Sequence, residues 1–205
     1  MSALVSTVMM ATLVVGPFHL SRALGLAPVL VGLSMSVGPL VSALGGVPAG
    51  RIADRFGAQR TTVVGLVFMV FGTTAIAASP ASWGLTGYIA PLVVTTAGYV
   101  LFQTANNTAV MATLSADRRG VVAGMLSLSR NLGLVTGASV MGAIFALAAA
   151  TTEVTTAPPD AIARGMRTTF GVAALLIAVA LMVAVKTYRP KLWAADASGA
   201  SHKME

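Results

Sequence analysis

The stretch Gly50-Arg51-Ile52-Ala53-Asp54-Arg55-Phe56-Gly57-Ala58-Gln59-Arg60 separates two apolar runs, from about Ala27 to Ala49 and from about Thr61 to Ala78. Each run is close to the ~20 residues a helix needs to cross a bilayer. So short a connection between two spans predicts a tight hairpin at the membrane surface. It carries Arg51, Arg55 and Arg60 against one acid, Asp54. An excess of cations in a short loop places that loop on the cytoplasmic side.

Composition supports the membrane setting. Of 205 residues, 56% are hydrophobic and 9% charged, whereas soluble domains carry about 25% charged residues. So few charges cannot solvate the surface of a globule, so the surface faces lipid. The 21 glycines would weaken soluble helices, but in membranes small residues let helix backbones approach closely. The net charge of +7 does not indicate nucleic-acid binding, because the cations are scattered in short loops rather than gathered on one polar face. Cysteine is absent, which excludes disulfides and thiolate metal sites. No span holds paired acids, metal ligands or a Ser with a His at depth, and Gly32-Leu33-Ser34 has no base to activate it. The reading is therefore not an enzyme, with no cofactor and no metal.

Six spans are expected: about Ala3 to Leu20, Ala27 to Ala49, Thr61 to Ala78, Trp83 to Leu114, Gly120 to Ala149 and Thr168 to Val185. They form a transmembrane bundle over residues 1–187, an all-α membrane protein. Residues 188–205 form a cytoplasmic tail, with disorder expected beyond Trp193. Nine cations then lie inside (Arg51, Arg55, Arg60, Arg118, Arg119, Lys186, Arg189, Lys191, Lys203) and three outside (Arg22, Arg164, Arg167), with Arg130 inside a span. This asymmetry puts both termini in the cytoplasm of a multi-pass protein of the plasma (inner) membrane. Met1 to Leu20 lacks the basic lead-in of a signal peptide. A span that begins so abruptly is expected where a longer protein was cut or has lost an upstream half.

Three features bear on function. Gly46 and Gly50 form a GxxxG pair, and Gly38 and Ser42 a looser one, so the second span should press on a partner. Gly50 would end that span against its neighbour, Asp54 would bond a helix N-terminus or pair with Arg55 or Arg60, and Gly57 would take positive φ in the turn. In the fourth span Thr96, Tyr99, Gln103 and Asn106, with Asn107 beside them, share one face. That face looks into a wet cavity or bonds across helices. Arg130 is a candidate for an anionic substrate or a mobile carboxylate, for a structural pair with Asp54, Asp117 or helix-end carbonyls, or for snorkelling to the interface. Trp83 and Tyr88 fit an interfacial aromatic belt. No Asp or Glu lies in a span, and His19 is the sole titratable candidate for proton coupling.

The Gly-x-x-x-Asp-Arg-x-Gly pattern of Gly50, Asp54, Arg55 and Gly57, followed by Arg60, resembles the signature loop of the major facilitator superfamily of secondary transporters. Ala58 and Gln59 depart from its usual basic pair. Gly124, Gly133, Gly137 and Gly142 resemble the fifth-helix glycine pattern of the superfamily's antiporters, with Ala138 in place of Pro and Met141 in place of Gly, and are expected to be helix-packing residues. This degenerate form suggests the C-terminal half. The run Arg119-Gly120 through Ser129-Arg130-Asn131-Leu132-Gly133 resembles bacterial drug and sugar efflux members. The resemblance implies one six-helix half of a two-bundle fold, rocking by alternating access to move a small molecule, with efflux the expected direction. Its partners would be the lipid bilayer, a small-molecule substrate, and the missing N-terminal half or a second copy. The alternative is a half-size membrane protein that assembles or dimerises without transporting on its own.

Overall fold

The computed structural model describes residues 1–80, 83–112, 115–150 and 157–201, with residues 116 and 189–201 described as backbone. The turn at Ala81-Ser82, the end of the fourth span at Leu114, the loop acid Glu153, and Lys203 and Glu205 lie outside the described residues. Helix α1 spans Ser2–Phe18 and continues into a π-helical turn at His19–Ala23. Then come α2 (Pro28–Phe56), α3 (Ala58–Ala78), α4 (Gly84–Met111), α5 (Ala116–Ala149) and α6 (Pro159–Ser201). All six are long and apolar enough to span a membrane. Lipid offers backbone groups no partner, so each segment satisfies its own as a helix. The fold is all-α, a single kind of element in one bundle, as expected.

The helices overrun the bounds expected from hydropathy. Helix α2 continues past Gly50 to Phe56, so the polar stretch is mostly helix and the turn is one residue, Gly57. Arg51-Ile52-Ala53-Asp54-Arg55 contains nothing that breaks a helix; polarity marks where a helix leaves the membrane, not where its backbone bonds stop. The same holds for Asp117-Arg118-Arg119 in the first turns of α5 and for Asp160 to Arg167 in α6, where Pro159 sits at the permissive first position. The backbone of α6 also runs through Ser201, into the stretch read as a tail. In the π turn, Leu24 N–H donates to the His19 carbonyl five residues back, and the Ser21 hydroxyl donates to the Pro17 carbonyl at 2.7 Å.

Helix α3 lies between α4 and α6, α1 packs along α5, and α2 rests chiefly on α4. Two apolar layers fill the bundle. One gathers Val15, Leu20, Ile76, Tyr88, Phe145, Ile162 and Phe170 at the π-turn end. The other gathers Val5, Val8, Leu66, Met69, Phe102 and Ile177 towards the start of α1. Tyr88 is thus a core residue, 1% exposed, rather than a belt aromatic. Trp83 is exposed at the start of α4.

Between α3 and α4, close helix contact is made at glycines the sequence reading did not single out. A Cβ on Gly65 would stand 2.6 Å from the Phe102 nitrogen, and one on Gly98 would stand 2.6 Å from the Gly65 carbonyl oxygen. Backbone meets backbone there, and neither side can yield. By contrast, Gly46 and Gly50 have nothing within 4 Å, and Gly38 meets only Thr96 Oγ1 at 3.9 Å. The GxxxG pair of α2 therefore does not pack within this bundle, and Gly50 neither ends the helix nor abuts a neighbour.

Gly98→Val is expected to destabilise the protein by about 1–3 kcal/mol through overpacking against backbone. Gly46→Val, in open space, is expected to leave stability unchanged or slightly raised. Thermal unfolding of the purified protein in detergent checks both.

Candidate functional site

The polar face of α4 turns towards α1 and α5. Helices α4 and α5 barely touch directly, and the slot between them holds a cavity of about 240 Å³. Tyr99, Gln103, Asn106 and Asn107 line it from α4, Ser2 and Ser6 from α1, and Ser127 and Arg130 from α5. Four of the five candidate cavity residues are therefore brought together by the fold. Asn106 is also an interhelical bond, its Nδ2 donating to Ser2 Oγ at 3.2 Å. The two expectations for the stripe, cavity lining and bonding across helices, meet in that one residue. Tyr99 lies against Ser6 and within electrostatic reach of Arg130.

The fifth candidate, Thr96, is one turn further from that cavity. It lines a second one of about 200 Å³ with Thr12, Met35, Ser42, Tyr88 and Tyr99. Its Oγ1 is buried with no hydrogen-bond partner among the described residues. Tyr99 lines both cavities, so they share a wall. Behind the second, the Tyr88 hydroxyl donates to the Thr12 carbonyl at 3.3 Å. The His19 ring lies 5.9 Å from that of Tyr88, and its Nδ1 is also buried without a partner among the described residues.

The glycines singled out in α5 divide. Gly133 and Gly137 press α5 onto α1: a Cβ on Gly133 would overlap the Ala3 carbonyl, and one on Gly137 would stand 2.6 Å from the Thr7 carbonyl oxygen. The Thr7 hydroxyl donates to the Gly133 carbonyl at 3.0 Å across this contact. Gly142 meets only Val14 at 3.7 Å, and Gly124 meets nothing within 4 Å. These contacts fix the distance between α1 and α5, and with it the width of the cavity.

The signature residues sit together at the α2–α3 corner. Gly57 takes φ 86, ψ 142, a region open in practice only to glycine. Asp54, Arg55 and Arg60 are exposed around it. The Arg55 guanidinium lies 5.6 Å from the Phe56 ring centroid. On the far side of the turn the Thr61 hydroxyl donates to the Gly57 carbonyl at 3.0 Å and the Thr62 hydroxyl to the Ala58 carbonyl at 2.8 Å.

The sequence reading missed the contribution of α1. Ser2 and Ser6 are spaced four apart in α1, which places both hydroxyls on one face. Among the described residues no group of His, Asp or Glu could hold a metal ion.

A family model described as the Major Facilitator Superfamily matches residues 1–203. The chain belongs to that superfamily. It is 32% identical over 127 residues to the multidrug efflux pump LfrA of Mycolicibacterium smegmatis, covering 62% of this chain and 25% of that protein. It is 32% identical over 125 residues to the uncharacterized transporter YebQ of Escherichia coli, covering 61% and 27%. It is 28% identical over 130 residues to the riboflavin transporter RibZ of Clostridioides difficile, covering 63% and 28%. The matched stretch is thus only about a quarter of the length of each relative. Superfamily members are transporters, not enzymes, and this chain is a multi-pass membrane protein of that superfamily.

Gly57→Ala is expected to cost about 1–3 kcal/mol, because a Cβ does not fit that backbone region. Gly50→Ala, in mid-helix with open space around it, is expected to be neutral to slightly stabilising. Resistance of the purified protein to unfolding by SDS distinguishes the two.

Proposed function

We propose that this chain is the C-terminal six-helix half of a secondary transporter that moves a small molecule by alternating access, in the direction of efflux. The observation that carries the reading is a cavity between α1, α4 and α5, lined in part by polar side chains, in an apolar bundle whose residues 1–203 match a transporter family. A path for a polar solute has to be lined by groups that lipid would reject. The efflux direction draws on the likeness to a multidrug efflux pump. The assignment to the second half draws on Ala138 and Met141, which stand where the antiporter pattern of a first half has Pro and Gly.

The other bundle would cover α2 and α5. Only 6% of the residues in the apolar stretch of α2 are buried, and Leu33, Leu40, Leu44, Val47, Leu128, Leu132 and Val135 are exposed on these two helices. Rocking of two bundles across such a face opens the cavity to each side in turn. Charge asymmetry supports cytoplasmic termini, an inner-membrane location and an inward-facing α2–α3 corner, with residues 188–205 as a cytoplasmic tail. At that corner Asp54, with Arg55 and Arg60, would form a latch that holds one arrangement and releases it in the other. The uncovered Gly46 and Gly50 face of α2 also suits a second reading, in which two copies of this chain assemble without transport by either alone.

The test is export of a fluorescent dye from proteoliposomes and from cells carrying the gene product that contains this segment. Saturable export is expected from that product, and none from residues 1–205 as a monomer. Export by the isolated monomer would overturn the half-transporter reading. Asp54→Asn is expected to slow export about fivefold at unchanged membrane abundance, as ~1 kcal/mol of charge interaction is lost. An unchanged rate removes the latch role. Arg130→Ala is expected to reduce export more strongly, and full activity would place Arg130 outside the transport path.

A further inference from the structure

We infer that the cavity between α1, α4 and α5 binds a small organic anion, with the Arg130 guanidinium as its counter-charge. The inference rests on the transport reading and adds a substrate class to it.

The first support is depth. Arg130 stands fourteen residues beyond Ala116 in a helix that runs on to Ala149. At 1.5 Å per residue this is about 21 Å from one end of α5 and about 28 Å from the other. A helix of about 50 Å exceeds a ~30 Å hydrocarbon core by roughly 10 Å at each side. Arg130 then lies about 10 Å inside the apolar region, beyond the first turns that carry Asp117, Arg118 and Arg119. A guanidinium that lines the cavity at that depth has not snorkelled to the interface.

The second is its surroundings. Arg130 is half-buried and lines a cavity whose other polar groups are neutral: hydroxyls and side-chain amides. None of the lining residues is Asp or Glu. A guanidinium keeps its charge under all ordinary conditions, and a charge removed from water is costly unless it is paired. Neither acid that could pair with it structurally is near. Asp117 is more than three turns away along the same helix, and Asp54 sits at the exposed α2–α3 corner.

The third is complementarity. Arg donates two parallel hydrogen bonds to a carboxylate. Gln103, Asn107, Tyr99 and Ser127 add further donors around the same space. Asn106 is already committed to Ser2, which stiffens the α1–α4 side of the cavity. About 240 Å³ is below the usual range for drug-sized ligands. The part of the site that this bundle encloses therefore has room for the compact anionic end of a ligand. The same chemistry would attract an anionic lipid headgroup, and the experiment separates the two sources.

Binding is measured by calorimetry on the protein in phosphatidylcholine nanodiscs with three probes of one shape: 2-naphthoate, neutral 2-naphthamide and cationic 2-naphthylmethylammonium. Naphthoate is expected to bind at least about tenfold tighter than the amide, as a charge-assisted pair implies, and the cation not at all. Arg130→Gln is expected to remove the preference for naphthoate over the amide, and Arg130→Lys to retain part of it. Equal binding of the three probes, or no naphthoate binding at millimolar concentration, overturns the inference. The wild-type comparison stands without any variant. Nanodiscs containing phosphatidylglycerol are expected to leave naphthoate affinity unchanged at constant ionic strength. Competitive loss of affinity there overturns the small-anion assignment in favour of a lipid headgroup. A protein that exports dye but shows no anion preference fails this inference alone. One that prefers naphthoate and exports nothing fails the transport reading alone.

Discussion

Helices in a bilayer gain little from hiding apolar side chains from one another, because lipid is as apolar as leucine. What holds them together is close packing, and the closest packing here is backbone against backbone. Gly65 and Gly98 bring α3 onto α4; Gly133 and Gly137 bring α5 onto α1. These two contacts set the rest of the bundle. Each draws its pair together so closely that the pairs cannot also interlock along their whole length. The slot left between α4 and α5 is the cavity. The cavity thus lies where these two contacts leave α4 and α5 apart.

Once the slot exists, the polar side chains have somewhere to go. Tyr99, Gln103 and Asn106 would be expensive against lipid, so they disfavour any rotation of α4 that exposes them. Asn106 bonds Ser2, and on the far side of α1 Thr7 bonds the Gly133 carbonyl. Helix α1 is therefore tied to α5 by the Thr7 bond, on top of the glycine contact, and to α4 by the Ser2 bond and by the Tyr88 hydroxyl on the Thr12 carbonyl. Hydrophobic content inserts the helices, small residues pair them, and polar residues choose their rotation. Only Thr96 and His19 keep buried atoms without partners among the described residues, and Thr96 does so on the second cavity, where a hydroxyl remains available to a ligand.

Helix α2 stands apart from this logic. It leans on α4, buries Ser34, Ala49 and Ala53, and otherwise shows an apolar surface that carries two prolines and several glycines. Its continuity through Pro39 and Pro48 to Phe56 makes it a long lever joined to α3 through the single residue Gly57. A lever that is little buried and pivots at one glycine can change its tilt while the packed layers behind it stay intact.

Much of this was legible without coordinates. Runs of about twenty apolar residues with few charges admit little but membrane helices, so six spans, an all-α fold and a tight corner at Gly57 followed from composition and spacing alone. The three-and-four stepping of Tyr99, Gln103 and Asn106 put them on one face for the same reason: the period of a helix is local. Three things were decided only by the tertiary structure. Helix ends at Phe56, Ala116 and Pro159 lay beyond the apolar runs, because backbone hydrogen bonding continues through polar residues that hydropathy reads as loop. Which glycines touch a neighbour could not be read from GxxxG spacing; Gly46 and Gly50 face open space while Gly65 and Gly98 meet, since contact depends on how the partner helix is rotated. The joining of Arg130 on α5 with Ser2 and Ser6 on α1 and the stripe on α4 required the packing of three helices distant in the chain. Periodicity determines which residues share a face, but not which faces meet.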